Sequence, residues 1–235
     1  MQKIKTRGQL FLYIIIAILI IAVGLLAYFI SQEVKKARWS EEEMQTVKNG
    51  IRDCLEKGLK EGIWLLARQG GYYELPAESA EFLGERAAFY LKQEKSLIPT
   101  KRTLELQLRN YLKNETSCIA YSYESLEVYL RNNRSEVEVR GIKASKGKAA
   151  FVFDVDADVA IDPLSYIALS EEIVQSYNAT NPYVCIECID MTAIKHAMNV
   201  TIVPIAEKGQ IWFLLASGQK VDNKNLIWRF VADIK

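Results

Sequence analysis

The sequence predicts an α+β fold that has an N-terminal transmembrane helix, then a helical segment, then a mainly antiparallel sheet with packed helices. Three observations support this prediction. An uncharged apolar run occupies Leu10–Ile30, helical spacing of apolar residues prevails up to about residue 120, and period-2 alternation prevails after about residue 125. We therefore divide the chain into a basic flank (1–9), a membrane helix (10–31), a helical part (40–120) and an α+β part (125–235).

The apolar run predicts an anchor in the lipid bilayer. As a helix, Leu10–Ile30 would be roughly 30 Å long, which matches the hydrocarbon core of a membrane. Tyr13 and Tyr28 lie near its two ends, where aromatic side chains prefer the membrane interface. A secretory signal has a shorter apolar region and a cleavage site of small residues, which Ser31–Lys36 does not offer. We expect the anchor to stay uncleaved.

The orientation of the anchor follows from features outside it. Three basic side chains precede the span and three follow it, so the distribution of Lys and Arg does not decide the orientation. These residues are Lys3, Lys5, Arg7, Lys35, Lys36 and Arg38. Four glycosylation sequons begin at asparagines in the remaining chain: Asn114, Asn133, Asn178, Asn199. The sequons and the cysteines favour a cytoplasmic N-terminus and an extracytoplasmic C-terminal domain.

The helical part contains clear boundary signals. Ser40–Glu43 is a capping box that begins a helix, and Gly70–Gly71 end it. Gly58 and Gly62 lie on its apolar stripe and cost about 1 kcal/mol each in helix propensity, so we expect a close-packed neighbour to offset them. Residues 77–92 fit a helix followed by a strand as well as one long helix, and a further helix starts at Pro99 and ends near Asn114.

The α+β part contains segments with the period-2 spacing of strands and segments with the spacing of helices. Residues 136–140 and 151–159 alternate apolar and charged side chains around a turn at 143–148, which predicts a hairpin. Helical spacing follows at 164–177 and 183–198. Three strands complete the chain at 200–205, 211–216 and 226–234.

Four cysteines suffice for two disulfides. A bond between Cys54 and Cys118 would close a loop of about 65 residues and contribute roughly 4 kcal/mol in the chain-entropy model. An extracytoplasmic location favours this bond, and two unpaired core cysteines are the alternative.

Cys185 and Cys188 form a Cys-x-x-Cys motif with three interpretations. A zinc site needs two such pairs or spaced histidines, whereas this chain has one histidine, His196. A thioredoxin-like redox site needs the pair at a helix N-terminus after a strand of a βαβ unit. A local structural disulfide in the first turn of a helix is the interpretation we favour.

No motif predicts catalysis or a cofactor. Asp154, Asp156 and Asp158 have the spacing of a calcium loop, but Val159 and Ser165 stand where that loop needs Gly and Glu. Strand alternation accounts for the three acids instead, and we predict no metal site. The sequence has no phosphate loop or dinucleotide fingerprint, and a net charge of +1 gives no field that favours nucleic acid.

The segment Lys5–Gln9, followed directly by apolar residues, resembles the class III signal of archaeal type IV pilins and archaellins. The resemblance implies cleavage between Gly8 and Gln9 and a filament assembled through the apolar helix. That family commonly has a glutamate a few residues into the mature helix, where this chain is apolar from Leu10 to Tyr13. A plain signal anchor remains the alternative.

The rest of the chain resembles a group of uncharacterised archaeal membrane proteins. The shared features are a Cys-Leu helix ending in Gly-Gly-Tyr, an Ile-Pro helix start leading to a second cysteine, and a late Cys-x-x-Cys: Cys54–Leu55, Gly70–Tyr72, Ile98–Pro99, Cys118, Cys185, Cys188. The resemblance implies no activity.

Three functions are consistent with these observations. The first is a membrane-anchored extracytoplasmic structural or interaction protein without enzymatic activity, whose partners are the bilayer, other copies of itself or other envelope proteins. The second is a pilin-like subunit of a surface filament, and the third is an envelope thiol–disulfide protein that uses Cys185 and Cys188.

Overall fold

The computed structural model describes residues 13, 15–29, 39–146, 149–176 and 185–233, and it confirms an α+β fold with mainly antiparallel sheets. The first helix, α1, covers residues 15–29. The other helices are α2 (Glu41–Arg68), α3 (Lys101–Glu115), α4 (Pro163–Ser176) and α5 (Ile186–Lys195). The strands are β1 (Ser79–Phe82), β2 (Glu85–Lys92), β3 (Lys95–Ser96), β4 (Ser125–Arg131), β5 (Arg134–Lys146), β6 (Ala149–Val159), β7 (Asn199–Ile205), β8 (Gln210–Val221) and β9 (Lys224–Asp233).

The predicted membrane helix, residues 10–31, is described only in part. Helix α1 is exposed along its whole length. No helix within the described residues is both long enough and apolar enough to cross a membrane. Residues 10–12, 14, 30 and 31 lie outside the described residues, as do Gly8 and Gln9 of the predicted processing site.

The described residues form two compact units. The first comprises those up to Thr46 together with those of Ala144–Phe151, and the second comprises those from Val47–Lys143 and from Val152 onward. In the first unit the predicted capping box is confirmed, because Ser40 and Glu43 exchange side-chain to backbone hydrogen bonds of 3.0 and 3.1 Å. Lys146 pairs with Glu43 at 2.5 Å and lowers the pKa of that carboxyl.

Helices α2 and α3 approach closely at the two glycines. A Cβ atom built on Gly58 would lie 2.9 Å from Thr116 Cγ2, and one on Gly62 would lie 2.7 Å from Tyr111 Cδ1. Both distances are shorter than side-chain packing permits, so each glycine makes room for α3. The expected close-packed neighbour of the two glycines is therefore α3.

The larger sheet contains strands from early and from late in the sequence of the second unit. Its order is β1-β2-β9-β8-β7, and the short strand β3, which lies outside this order, also pairs with β2. Strand β2 runs parallel to β9, whereas β8 is antiparallel to both β7 and β9. The predicted helical part, 40–120, thus contains a hairpin at 79–92, and this hairpin joins the C-terminal strands. The later strand of one of the two interpretations of residues 77–92 is present as β2, whereas the helix that both interpretations included is replaced by β1.

The smaller sheet has the order β4-β5-β6. It contains the predicted hairpin and one strand, β4, that the sequence analysis did not predict. Along β6 the residues from Phe153 to Val159 alternate between buried and exposed, which places Asp154, Asp156 and Asp158 on the solvent side as expected. Arg140 on β5 pairs with Asp156 at 3.0 Å and so balances part of their charge.

An aromatic core occupies one face of the larger sheet. Trp228 stacks on Tyr166 of α4 at 5.6 Å, and Phe230 stacks on Tyr90 at 4.6 Å. Trp228 Nε1 donates to the Tyr90 hydroxyl at 2.9 Å, and that hydroxyl donates to the carbonyl of Gly70 at 3.1 Å. The opposite face carries a second apolar cluster formed by Ala80, Ala87, Phe89, Trp212 and Val231.

Candidate functional site

The structure places Cys185 and Cys188 at the N-terminus of α5 and joins them in a disulfide with a Cα–Cα distance of 5.2 Å. Cys185 is the N-cap of the helix, and its Sγ accepts the backbone N–H of Cys188 at 3.2 Å. Cys188 is exposed, whereas Cys185 is half-buried. The bond therefore lies at the surface, next to the positive end of the helix dipole.

One side of α5 fixes it to the fold. Ile189 and Ala193 are buried, and the helix packs against α4 and β7. At its C-terminal end, Lys195 Nζ lies 2.8 Å from Glu172 Oε1 of α4, and His196 Nε2 lies 3.0 Å from the same oxygen. These contacts, the one to Lys195 most strongly, lower the pKa of Glu172. His196 is thus part of a polar cluster that joins two helices.

The other side of α5 exposes apolar side chains to solvent. Ile186 is 61% exposed, Met191 is 73% exposed and Ile194 is 77% exposed. Glu187 and Asp190 are exposed on the same helix. We call these five residues the α5 surface. A surface that combines three large apolar side chains with two acids can contact another molecule that is apolar and basic.

The α5 surface was not predicted from the sequence, although a signal for it was present. Ile189 and Ala193 fill one stripe at helical spacing, and Ile186, Met191 and Ile194 are additional apolar residues outside that stripe. A helix with more apolar positions than one buried face requires has a second apolar side.

The other disulfide joins Cys54 of α2 to Cys118, which follows α3, with a Cα–Cα distance of 5.4 Å. Both predicted pairings are therefore present. The sequence separations are 64 and 3 residues, which in the chain-entropy model correspond to about 4 kcal/mol for Cys54–Cys118 and about 2 kcal/mol for Cys185–Cys188. The Cys54–Cys118 bond, next to the α2–α3 contact, is the main covalent support of the fold.

Three of the four candidate glycosylation sites are described, and all three asparagines are exposed: Asn114, Asn133, Asn199. Asn178 lies outside the described residues. In the second sequon Ser135 is buried and donates to the carbonyl of Ile161 at 3.0 Å. The structure brings none of these three positions into one site.

The remaining polar clusters offer no metal site among the described residues, which contain no group of three His, Cys, Asp or Glu that could hold an ion. A shallow depression on the smaller sheet is lined by acids and Arg131. A second depression contains Trp64, and the distances from its ring centroid to the cationic groups of Arg68 and Lys224 are 4.5 Å and 5.6 Å. Both depressions are open to solvent.

Comparison of this chain with protein families, with curated proteins and with solved structures finds no match. The candidate site consequently rests on its own geometry: an exposed disulfide at a helix N-terminus beside the α5 surface.

Proposed function

We propose that this chain is a membrane-anchored, extracytoplasmic structural or interaction protein, with its N-terminus in the cytoplasm. The observation that carries the proposal is the exposure of apolar side chains all around α1, for example Ile20 at 67%, Leu26 at 64% and Phe29 at 66%. Each such side chain would gain about 1.5–3 kcal/mol on transfer from water to an apolar environment. A lipid bilayer supplies that environment, and over the predicted span of 10–31 a helix would be roughly 33 Å long.

The two disulfides support an extracytoplasmic location of the rest of the chain. Disulfides persist in oxidising compartments and are rare in the cytosol. All four cysteines of the sequence are paired, and Asn114, Asn133 and Asn199 are exposed as acceptors of glycans must be.

The anchor is tested by membrane fractionation of three forms of the full chain. We expect the wild type to stay with the membrane under carbonate extraction. Leu19→Lys with Val23→Lys should shift the protein to the soluble fraction, because two charges in the span oppose insertion by about 2.5–3.5 kcal/mol each. The matched control is Leu83→Lys, which changes a leucine that is 85% exposed in a turn and should leave the protein in the membrane.

The orientation is tested by adding an impermeant protease to intact cells. Digestion of the domain that follows α1 supports the proposal, whereas full protection in intact cells contradicts it. A wild-type chain that is extracted as completely as the double-lysine variant contradicts the anchor itself.

A pilin-like subunit is a second proposal that the same observation favours, because an apolar helix exposed on all sides is also what a filament packs in its centre. Intact-mass measurement of the protein from its native membrane separates the two proposals. Loss of residues 1–8, which end at Gly8, supports the filament subunit. Retention of these residues contradicts it and leaves the plain anchor.

A further inference from the structure

We propose that Cys185 and Cys188 form a thiol–disulfide exchange site that oxidises a pair of thiols in an extended polypeptide carrying apolar and basic side chains. This activity goes beyond the proposed anchored module, and it does not depend on the membrane. It follows from the position of the disulfide, from the N-cap hydrogen bond and from the composition of the α5 surface.

The first step uses the more accessible cysteine. Cys188 is exposed and Cys185 is half-buried, so an incoming thiolate reaches the sulfur of Cys188 more readily. Attack there forms a bond between the substrate sulfur and Cys188 Sγ and breaks the bond between the two cysteines. The electron pair of the broken bond goes to Cys185 Sγ, which leaves as a thiolate.

The N-terminus of α5 stabilises the leaving thiolate of Cys185. Cys185 is the N-cap of α5, and its Sγ already accepts the N–H of Cys188 at 3.2 Å. A negative charge on that sulfur interacts with the unpaired N–H groups and with the dipole of the helix. Exposed Cys188 has no such cap, which is the asymmetry that directs attack to Cys188.

The second step completes a two-electron transfer. The second thiolate of the substrate attacks the substrate sulfur of the mixed disulfide, and Cys188 leaves as a thiolate. The substrate then carries a disulfide, while Cys185 and Cys188 have gained two electrons and take up the two protons that the substrate thiols released. A disulfide such as glutathione disulfide can accept those electrons and restore the bond between the cysteines.

The fold can tolerate both redox states of the pair. Ile189 and Ala193 keep α5 buried on one side, and Glu172 binds Lys195 and His196 at the other end of the helix. None of these contacts involves the disulfide. Reduction opens a bond that spans a sequence separation of only 3 residues, so it releases little of the chain.

The α5 surface determines the class of substrate. Ile186 lies between the two cysteines in sequence, and Met191 and Ile194 continue the exposed apolar side of the same helix. Glu187 and Asp190 add negative charge to it. An extended peptide with apolar and basic side chains beside its cysteines is complementary to this surface in hydrophobicity and in charge.

The test uses the full chain in detergent micelles and a reduced synthetic peptide that has two cysteines flanked by leucine and lysine. We expect the protein to oxidise one equivalent of peptide at least about tenfold faster than the variant Cys185→Ser/Cys188→Ser does. Acid quenching followed by alkylation and mass mapping should show the mixed disulfide on Cys188, with Cys54–Cys118 still oxidised. Equal rates for the two proteins overturn the proposal, and a mixed disulfide on Cys185 overturns its order of attack.

Docking on the α5 surface is tested separately from the exchange chemistry. Met191→Gln with Ile194→Gln should slow oxidation of the peptide roughly tenfold and leave the reaction with dithiothreitol unchanged. Val152→Gln, at a residue that is 61% exposed on β6, is the matched control and should change neither rate. The same peptide with serine and aspartate in place of leucine and lysine should react more slowly with the wild type. Equal rates for the two peptides overturn the assigned substrate class.

Discussion

Gly62 and Gly50 both lie within α2, and only one of them lies against a neighbouring helix. The Cβ of an alanine at position 62 would lie 2.7 Å from Tyr111 Cδ1 and 3.2 Å from Leu108 Cδ2, whereas at position 50 nothing lies within 4 Å. The same chemical change therefore has opposite consequences at the two positions. At both it improves helix propensity, and at Gly62 it also forces α2 and α3 apart.

We expect Gly62→Ala to lower the free energy of unfolding by about 1–2 kcal/mol, because overpacking outweighs the gain in helix propensity. Gly50→Ala should raise the free energy of unfolding by up to about 1 kcal/mol. Urea unfolding followed by tryptophan fluorescence measures both values. A Gly62→Ala variant as stable as Gly50→Ala would contradict the close helix contact.

Tyr90 connects two polar groups that burial would otherwise leave unpaired. Its hydroxyl accepts from Trp228 Nε1 and donates to the Gly70 carbonyl, and both aromatic residues are fully buried. Burial raises the pKa of Tyr90 well above its usual value, so the phenol remains protonated and able to donate. Tyr90→Phe should lower the free energy of unfolding by about 1–3 kcal/mol.

Thermal or urea unfolding of Tyr90→Phe checks this expectation. The matched control is Tyr129→Phe on β4, where the side chain is exposed and a change within about 0.5 kcal/mol is expected. If the two substitutions have equal effects, the buried hydrogen bonds are not important for stability.

Single residues also show which features of the structure could be predicted from the sequence and which could not. The capping box at Ser40 and the Cys185–Cys188 pair follow from local spacing, which a sequence displays directly, whereas Cys54–Cys118 was predicted from the number of cysteines and the expected location. The clustering of His196 and Lys195 on Glu172 does not, because it depends on how α4 and α5 pack. The exposed side of α5 was not predicted either, although the apolar residues outside its buried stripe are visible in the sequence.

At the scale of elements, the two disulfides have different roles. Cys54–Cys118 ties α2 to the end of α3 across a separation of 64 residues, whereas Cys185–Cys188 closes one turn. Replacing Cys54 and Cys118 with serine should lower the free energy of unfolding by about 4 kcal/mol, and replacing Cys185 and Cys188 should lower it by about 2 kcal/mol or less. Urea midpoints with unchanged slopes measure the difference, and the reverse order would contradict this assignment.

The contact between α4 and α5 depends on pH through Glu172. Hydrogen bonds from Lys195 and His196 lower its pKa from 4.5, so the carboxylate stabilises the folded state above about pH 4.5. This contribution disappears as the pH falls through the lowered pKa of the folded state. The difference in stability between wild type and Glu172→Gln should therefore be largest above pH 4.5 and shrink on further acidification.

Unfolding curves of both proteins across the acid range measure this dependence. Glu171→Gln, at the exposed neighbouring position, is the matched control and should follow the wild type at every pH. A difference between wild type and Glu172→Gln that is independent of pH would contradict an electrostatic role.

Strand β2 shows why the sequence left residues 77–92 ambiguous between helix and strand. Its residues from Ala87 to Leu91 are all buried, so the strand has no alternation, and a short apolar run of this kind fits a helix equally well. The turn before it is formed by Leu83 and Gly84, both with positive φ, and leucine is not a residue that signals such a turn. Strand β4 is different, because Leu126, Val128 and Leu130 alternate with exposed or half-buried residues and the pattern was available.

At the scale of the whole molecule, the sequence predicted the α+β class but not the pairing of distant strands. A division into a helical part (40–120) and a sheet part (125–235) follows from the change in periodicity near residue 125. The structure instead pairs β2 with β9 in parallel, Phe89 opposite Val231. Local patterns carry no information about which distant strand is the partner, because hydrogen bonding between strands involves the backbone that all residues share.

This pairing makes residues 40–120 dependent on the end of the chain. In that fragment β2 would lose β9 and the stacking of Tyr90 on Phe230, so five consecutive buried residues would face water. We expect a fragment of residues 39–120, with Cys54–Cys118 oxidised, to keep helical circular dichroism but to unfold without a cooperative transition. A fragment of residues 39–235 should unfold cooperatively, because it retains the strands from β1 to β9. A sharp urea transition in the shorter fragment would show that the helical part folds without β9 and that the parallel pairing contributes little to its stability.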